Sequence, residues 1–151
     1  MNKGKVILVC GLPGSGKTTL AKELEAEQGA VRFSPDEWME DMGISLWDSK
    51  ARVGIEQRFW KLAQNLADLG ITSILENGFW SKEEREGYLK VARDKGFQIQ
   101  LIPLYISKEE TRARLEARNM EGDEKILKEK LDEYFESFEV PSQEELAQYD
   151  K

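Results

Sequence analysis

Eight consecutive residues close to the N-terminus have the types and spacing of a phosphate-binding loop. Residues 11–18 read Gly-Leu-Pro-Gly-Ser-Gly-Lys-Thr and fit the pattern G-x-x-x-x-G-K-[ST] at every position. Glycines allow the backbone to curl until several N–H groups point at one anion, and a helix that starts here adds the positive end of its dipole. The sequence therefore predicts a binding site for a nucleoside triphosphate with Mg²⁺.

The side chains of this loop have separate predicted tasks. Lys17 supplies a mobile cation for the β- and γ-phosphates, and Thr18 supplies a hydroxyl ligand for Mg²⁺. The alternative, a glycine-rich turn with a chance lysine, is disfavoured because an apolar strand pattern precedes the motif and a helical pattern follows it. The predicted nucleotide-binding residues are Gly11, Gly14, Ser15, Gly16, Lys17, Thr18 and Thr19.

Two carboxylates are predicted to complete the site. Asp36 follows the second strand and, in a chain without histidine, is the best-placed candidate base for an acceptor hydroxyl; an acidic residue in the first turn of a helix also simply favours the helix dipole. Glu37 is assigned to a capping box with Ser34. Glu76 ends an apolar strand, where a carboxylate on the metal side is expected, although Asp is the usual residue. Glu76 could instead orient the substrate.

Arginines on a later helix could neutralise the charge that develops on a transferring phosphoryl group. Arg114 and Arg118 are four residues apart and share one helix face, whereas Arg112 lies off that face. The alternative is a solvated face in which these arginines pair with Glu110 and Glu116. We predict a catalytic role for Arg118 and leave both readings open for Arg114.

Six aromatic residues occur between the second and third strands and just beyond them, and could wall an acceptor pocket: Trp38, Trp47, Phe59, Trp60, Phe79 and Trp80. The helical periodicity of Phe59 assigns it to the core, whereas Trp80 beside Glu76 is a candidate for the pocket. Cys10 within the first strand is expected to be a small buried hydrophobic residue and not a nucleophile.

Composition excludes several classes of protein. The 151 residues fit one domain, and the absence of histidine removes His-based triads and His-ligated metals. A single cysteine excludes an internal disulfide framework. The net charge of −7 argues against a polynucleotide acceptor, because binding to a phosphate backbone needs a basic surface. No apolar run has the length of a signal peptide or membrane span, so we expect a cytoplasmic protein without a membrane partner.

The elements that must position these residues alternate between short β-rich runs and longer helical runs. Strands are predicted at 6–10, 30–34, 71–75 and 97–106, and helices at 17–28, from 34, at 50–69, 81–96, 107–119 and 123–138. This order implies an α/β fold with a parallel sheet and helices on both faces. Ligands bind such sheets at the carboxyl ends of the strands, where the loop, Asp36 and Glu76 all lie.

With these motifs together, the chain resembles the small P-loop kinases of the AAA_33-type group, which includes polynucleotide kinase, gluconate kinase, chloramphenicol phosphotransferase and the zeta toxins. The resemblance rests on residues 11–18, 33–38, 75–79 and 114–119. It implies one three-layer nucleotide-kinase-like domain over residues 1–151, with a sheet of four or five strands and a lid at about 112–125. It also implies that Asp36 is the base and that Arg118 and Arg114 clamp the phosphates.

The leading functional hypothesis is an ATP- and Mg²⁺-dependent kinase that phosphorylates a hydroxyl group of a small molecule. Two alternatives remain open from the sequence. One is a nucleotide-binding regulatory module with slow hydrolysis, which needs the same loop but no acceptor pocket. The other is a nucleic-acid or nucleotide hydroxyl kinase, which would bind oligonucleotides in a strongly salt-dependent way.

Overall fold

The computed structural model describes residues 2–117 and 129–151. Within these ranges a parallel sheet contains four strands, in the order β2-β3-β1-β4. The strands are β1 (Lys5–Cys10), β2 (Val31–Phe33), β3 (Ser73–Gly78) and β4 (Gln98–Pro103). The central strand β1 pairs with β3 on one side and with β4 on the other, so that Leu8 lies opposite both Leu75 and Leu101. The predicted α/β fold with a parallel sheet is confirmed.

Helices connect the strands and follow the last one. They are α1 (Lys17–Gln28), α2 (Pro35–Asp41), α3 (Ser49–Asp68), α4 (Lys82–Lys95), α5 (Lys108–Ala117), α6 (Leu131–Ser137) and the short α7 (Gln143–Leu146). Arg118 and most of the predicted lid lie outside the described residues, as do the first six residues of the helix predicted at 123–138. In the described part of the chain, no helix is both long enough and apolar enough to cross a membrane.

Two separate apolar cores cover the two faces of the sheet. Val6 and Leu8 of β1 belong to the core that also contains Phe59 of α3, whereas Ile7 of β1 packs in the core that contains Ala21 of α1. Every apolar residue of β1 is fully buried. A strand that is covered on both faces needs an unbroken apolar run, which is why the sequence of β1 shows no alternation.

Serine and glycine residues set the helix boundaries that the sequence predicts. The side chains of Ser34 and Ser81 accept hydrogen bonds from backbone N–H groups in the first turns of α2 and α4. Gly96 ends α4 in the left-handed conformation that glycine adopts without strain. The Glu37 side chain does not act in the predicted capping box. Its carboxylate pairs with Arg32 of β2 instead.

Several predicted boundaries differ from the structure. Strand β3 runs from Ser73 to Gly78 and not from 71 to 75, because the Ile71 N–H is still bonded back to Leu66 at the end of α3. Strand β4 ends at Pro103, three residues before its predicted end. The buried face of α3 carries Phe59, Ala63 and Ala67, whereas Leu69 is 60% exposed. Small alanines let this helix approach the sheet closely, and Leu69 lies beyond the last helical turn.

The C-terminal residues lie against the edge of β4. The backbone N–H of Asp150 donates to the carbonyl of Ile99, and the Asp150 carboxylate accepts from the Ile99 N–H. Residues 138–141 lead into the short helix α7. Part of the exposed edge of β4 is therefore satisfied by a single acidic residue.

Candidate active site

The phosphate-binding loop joins the end of β1 to the start of α1. Gly14 and Gly16 have φ angles of 82° and 96°, a conformation that residues with a side chain rarely adopt. Gly16 occupies the N-cap position of α1 without a side-chain hydrogen bond to the helix. The first-turn N–H groups of α1 are thus left for an anion, as the motif predicts.

Lys17 lies between the loop and the carboxylates of the site. Its ammonium group donates to the carbonyl oxygen of Gly11 at 3.0 Å. Burial lowers the pKa of Lys17, and the nearby charges of Asp36 and Glu76 act in the opposite direction. Within the described ranges its hydrogen-bond partner is this backbone carbonyl, so Lys17 gains a stronger partner when a phosphate enters.

Thr18 and Glu76 meet although they are 58 residues apart in the chain. The Thr18 hydroxyl donates to a Glu76 carboxylate oxygen at 3.0 Å because β3 is the direct neighbour of β1. Glu76 is 6% exposed and also forms an ion pair with Arg32. Burial raises the pKa of Glu76, while the hydrogen bonds from Arg32 and Thr18 oppose this rise.

A hydroxyl and a carboxylate are the hard oxygen donors that Mg²⁺ accepts. Magnesium in nucleotide sites is usually held by one or two side chains together with phosphate oxygens and water. Thr18 and Glu76, as an adjacent pair beside the loop, fit that requirement. The assignment of both residues to the metal stays a prediction.

A cavity of about 430 Å³ opens beside the loop. Lys17 and Asp36 both line it, and so does Arg52 of α3, which forms an ion pair with Asp36 at 2.8 Å. The Asp36 side chain is 63% exposed, so that only this partner fixes its direction among the described residues. One space thus connects the phosphate end of the site with the candidate base.

Aromatic side chains form part of the wall of this cavity: Trp47, Phe79, Trp80 and Tyr134. The rings of Trp80 and Tyr134 meet edge to face at 5.1 Å between centroids. Trp80 was the aromatic residue predicted for the pocket, whereas Phe59 is a fully buried core residue as expected. Trp38 lies elsewhere, on an apolar groove between α2 and α3.

The turn after β3 holds Trp80 in place through a strained backbone. Phe79 has a φ of 49°, and its carbonyl oxygen accepts hydrogen bonds from Arg85 at 2.8 Å and from the thiol of Cys10 at 3.4 Å. A side chain at Gly78 would come within 2.9 Å of the Trp80 indole nitrogen. Cys10 is fully buried, as predicted, and burial raises the pKa of its thiol to about 11.

Arg114 is the predicted arginine that the structure brings to the loop. Its guanidinium donates to the carbonyl oxygen of Gly14 at 3.4 Å and to Glu110 at 3.0 Å. Arg114 therefore forms the surface pair with Glu110 and approaches the phosphate-binding loop at the same time. Arg112 pairs with Asp132 instead, in keeping with its predicted place off this face.

Sequence reasoning missed two charged residues of α3. Arg52 lines the cavity, and Glu56 lies close enough to Asp36 and Glu84 for their charges to raise its pKa, which burial brings to about 7. The sequence spacing could have indicated both residues. Positions 52 and 56 lie on the same face of α3 as Phe59, which follows further along the helix. Charged residues in line with an apolar stripe are typical of a helix that leaves the core and enters a site.

The chain matches a protein-family model over most of its length. A family model described as "AAA domain", AAA_33, matches residues 6–141. A search of curated proteins finds no match. Among solved structures, the chain is similar to a gluconokinase from Sinorhizobium meliloti 1021, with 18% identity over 97% of this chain and 81% of that one and a TM-score of 0.66.

Two further solved structures extend this comparison. The Mycobacterium tuberculosis APS kinase, solved with AMPPNP and APS, has 23% identity over 76% of this chain and 69% of that chain, with a TM-score of 0.62. A chain of the Pnkp1/Rnl/Hen1 RNA repair complex has 17% identity over 93% of this chain and 48% of its own length, with a TM-score of 0.68. At these identities the comparisons establish the fold.

Proposed function

We propose, since the chain belongs to the AAA_33 family, that it is a Mg²⁺- and ATP-dependent kinase that transfers the γ-phosphoryl group to a hydroxyl of a small molecule. One observation carries this proposal. Lys17 of the phosphate-binding loop and the carboxylate of Asp36 line the same cavity of about 430 Å³. A module that only bound nucleotide would need the loop but no enclosed space beyond it.

The transfer step assigns a role to each side chain. The acceptor oxygen forms a bond to the γ-phosphorus, the bond between that phosphorus and the bridging oxygen breaks, and ADP leaves. Asp36 takes the proton of the acceptor hydroxyl, and Lys17 neutralises charge on the phosphoryl oxygens. When bound, Mg²⁺ held by Thr18 and Glu76 would neutralise phosphate charge.

Arginines complete the proposed machinery. Arg52 holds the Asp36 carboxylate at 2.8 Å and so orients the base toward the cavity. Arg114, next to the Gly14 carbonyl, is positioned to contact the phosphates. In this proposal Arg118 is a second residue that contacts the phosphates. Residues 112–125 form the lid of the single domain.

The test of this proposal replaces the base without changing its size. Asp36→Asn should lower the rate of transfer by about two to four orders of magnitude, because general-base catalysis contributes that much, while ATP affinity stays nearly the same. Asp41→Asn, at an exposed position at the end of the same helix, serves as the matched control. The measurement follows label from γ-labelled ATP into organic phosphate with a panel of hydroxyl compounds.

Two results would contradict the proposal. Equal transfer rates for the wild type and Asp36→Asn would remove Asp36 from the mechanism. Label found only in free phosphate, with every acceptor tried and with ATP bound, would favour a regulatory module that hydrolyses nucleotide slowly.

A further inference from the structure

Two further acidic side chains, from α3 and α4, lie at or near the cavity. Glu84 of α4 lines the cavity, and Glu56 of α3 lies near it. Neither forms an ion pair with a residue in the described ranges, whereas Asp36 pairs with Arg52. Of these two, the Glu84 carboxylate is the one that meets a ligand in the cavity directly.

The described cations around the cavity already have partners. Arg52 pairs with Asp36, and Arg32 pairs with Glu76 and Glu37. Arg85 is buried and makes two hydrogen bonds to the carboxylate of Glu145. Lys17 donates to the loop carbonyl of Gly11, and Lys130 lies 5.0 Å from the ring centre of Trp47. Within residues 2–117 and 129–151, an anionic acceptor would therefore have to compete for a cation that is already paired.

The Glu84 carboxylate favours a ligand that donates hydrogen bonds. This side chain lines the cavity and, when ionised, only accepts hydrogen bonds. A hydroxyl or ammonium group of a ligand can donate to it, whereas a ligand carboxylate or phosphate cannot. The amide of Asn77 contributes less, because its nitrogen donates to the Tyr88 hydroxyl at 3.4 Å and its oxygen is buried.

Aromatic rings complete the recognition surface. The Trp80 and Tyr134 side chains line the cavity, whose volume suits a single small molecule, and so does Trp47, whose ring already has Lys130 at 5.0 Å. Aromatic rings attract a cation through the negative charge of the ring face. Carboxylates and aromatic rings together are the environment that binds ammonium groups and hydroxyl-bearing rings.

We infer that the acceptor is a neutral or positively charged hydroxyl compound with a flat or ring-shaped face, such as an amino alcohol or amino sugar, and that the cavity rejects acceptors bearing carboxylate, sulfate or phosphate. This inference rests on the proposed kinase function. It distinguishes the chain from kinases of the same fold whose names specify anionic acceptors, gluconate and APS.

The experiment uses matched triplets in which one skeleton carries a hydroxyl, an ammonium or a carboxylate. Glucose, 6-amino-6-deoxyglucose and glucuronate, which differ only at carbon 6, form one triplet, and benzyl alcohols with a para hydroxymethyl, aminomethyl or carboxylate group form another. With γ-labelled ATP, kcat/KM should be lowest for the carboxylate member of each triplet, by about tenfold or more, because like charges at a binding site are strongly disfavoured.

A charge-reversing variant makes the test specific to the cavity. Glu84→Lys should shift the preference toward the carboxylate members by about tenfold, and Glu84→Gln should shift it less in the same direction. Glu83→Lys is the matched control, since Glu83 lies in the same first turn of α4 but does not line the cavity. It should leave the order of preference unchanged.

The outcomes separate the two proposals. Efficient transfer to the carboxylate members by the wild type, or a ratio of kcat/KM between the carboxylate and hydroxyl members that Glu84→Lys leaves unchanged, overturns the acceptor class but leaves the kinase function intact. If label appears only in free phosphate with every triplet, the result contradicts the kinase function and therefore also the acceptor class.

Discussion

The two ends of the cavity are built in different ways. The phosphate end consists of main-chain groups and side chains from one continuous stretch, residues 11–18. The acceptor end takes Asp36 from α2, Arg52 from α3, Glu84 from α4 and Tyr134 from α6. A site made by one loop is local and depends little on the rest of the chain, whereas a site made by four helices depends on how those helices pack.

The largest expected effect on the rate of transfer comes from a substitution at the phosphate end of the cavity. Lys17→Ala should lower transfer by about a thousandfold or more, because the variant loses the charge that stabilises the transferring phosphoryl group. Initial rates with γ-labelled ATP measure this loss. Lys22→Ala, at an exposed position on the same helix, is the control and should retain activity. Equal activity of Lys17→Ala and wild type would contradict the assignment of the loop.

The second effect concerns the buried pair of Arg85 and Glu145, which supports the acceptor end of the cavity. Arg85 and Glu145 are 0% and 4% exposed, and the Arg85 guanidinium also holds the Phe79 carbonyl beside the cavity. Arg85→Met should reduce the free energy of unfolding by about 3 kcal/mol or more, because Glu145 is left buried and unpaired. Urea unfolding measures this change.

A double variant sharpens that prediction. Arg85→Met combined with Glu145→Met removes both charges and should recover most of the lost stability. In either variant that folds, we expect the acceptor KM to rise more than the Kd for ATP, because Arg85 holds the backbone of Phe79, which lines the cavity. A larger loss of ATP affinity than of acceptor affinity would contradict the separation of the two ends.

A third, smaller effect concerns the orientation of the base. Arg52→Gln should lower kcat/KM for the acceptor by about tenfold, since it removes the ion pair that positions Asp36 but not Asp36 itself. Arg52→Lys should restore part of the rate, which a purely structural role would not require. Arg58→Gln on the same helix, away from the cavity, provides the control. No difference between Arg52→Gln and Arg58→Gln would remove Arg52 from the site.

The smallest effect is a pH dependence of stability at the acceptor end. Burial raises the pKa of Glu56 to about 7, in a setting that includes Glu84, Asp36, Arg52 and Lys17. A carboxyl group with a raised pKa contributes stability at low pH, and this contribution is lost as the pH rises from its unfolded pKa, about 4.3, through 7.

Glu56→Gln should remove that loss. Its melting temperature should match the wild type near pH 4.5 and exceed it at pH 8, where the difference in free energy of unfolding is on the order of 1 kcal/mol. Glu83→Gln, at an exposed position on α4, should not change the pH profile in this way. Parallel profiles for Glu56→Gln and the wild type would show that Glu56 does not carry the effect.

The same contrast explains what the sequence could predict. The loop, the alternation of strands and helices along the chain and the caps at Ser34 and Ser81 are local patterns, and local patterns were sufficient to predict them. The meeting of Thr18 with Glu76 followed from the order of the strands, which places their carboxyl ends side by side. These features depend on neighbouring residues or on the sheet alone.

The acceptor end could not be predicted in the same way. Arg52 and Glu56 join the site through the packing angle of α3, and Tyr134 joins it through a helix near the C-terminus. The spacing of charged residues along one helix does not reveal which other helices they face. Glu37 illustrates the same limit, since its partner is Arg32 on the preceding strand and not its own helix.

The most direct measurement is a crystal structure with Mg²⁺ and a non-hydrolysable ATP analogue. We predict that the polyphosphate lies on the first turn of α1 and that its γ-phosphate points into the cavity between Lys17 and Asp36. A γ-phosphate directed away from that cavity, or an analogue bound elsewhere on the protein, would contradict the claim that one space joins the nucleotide to its acceptor.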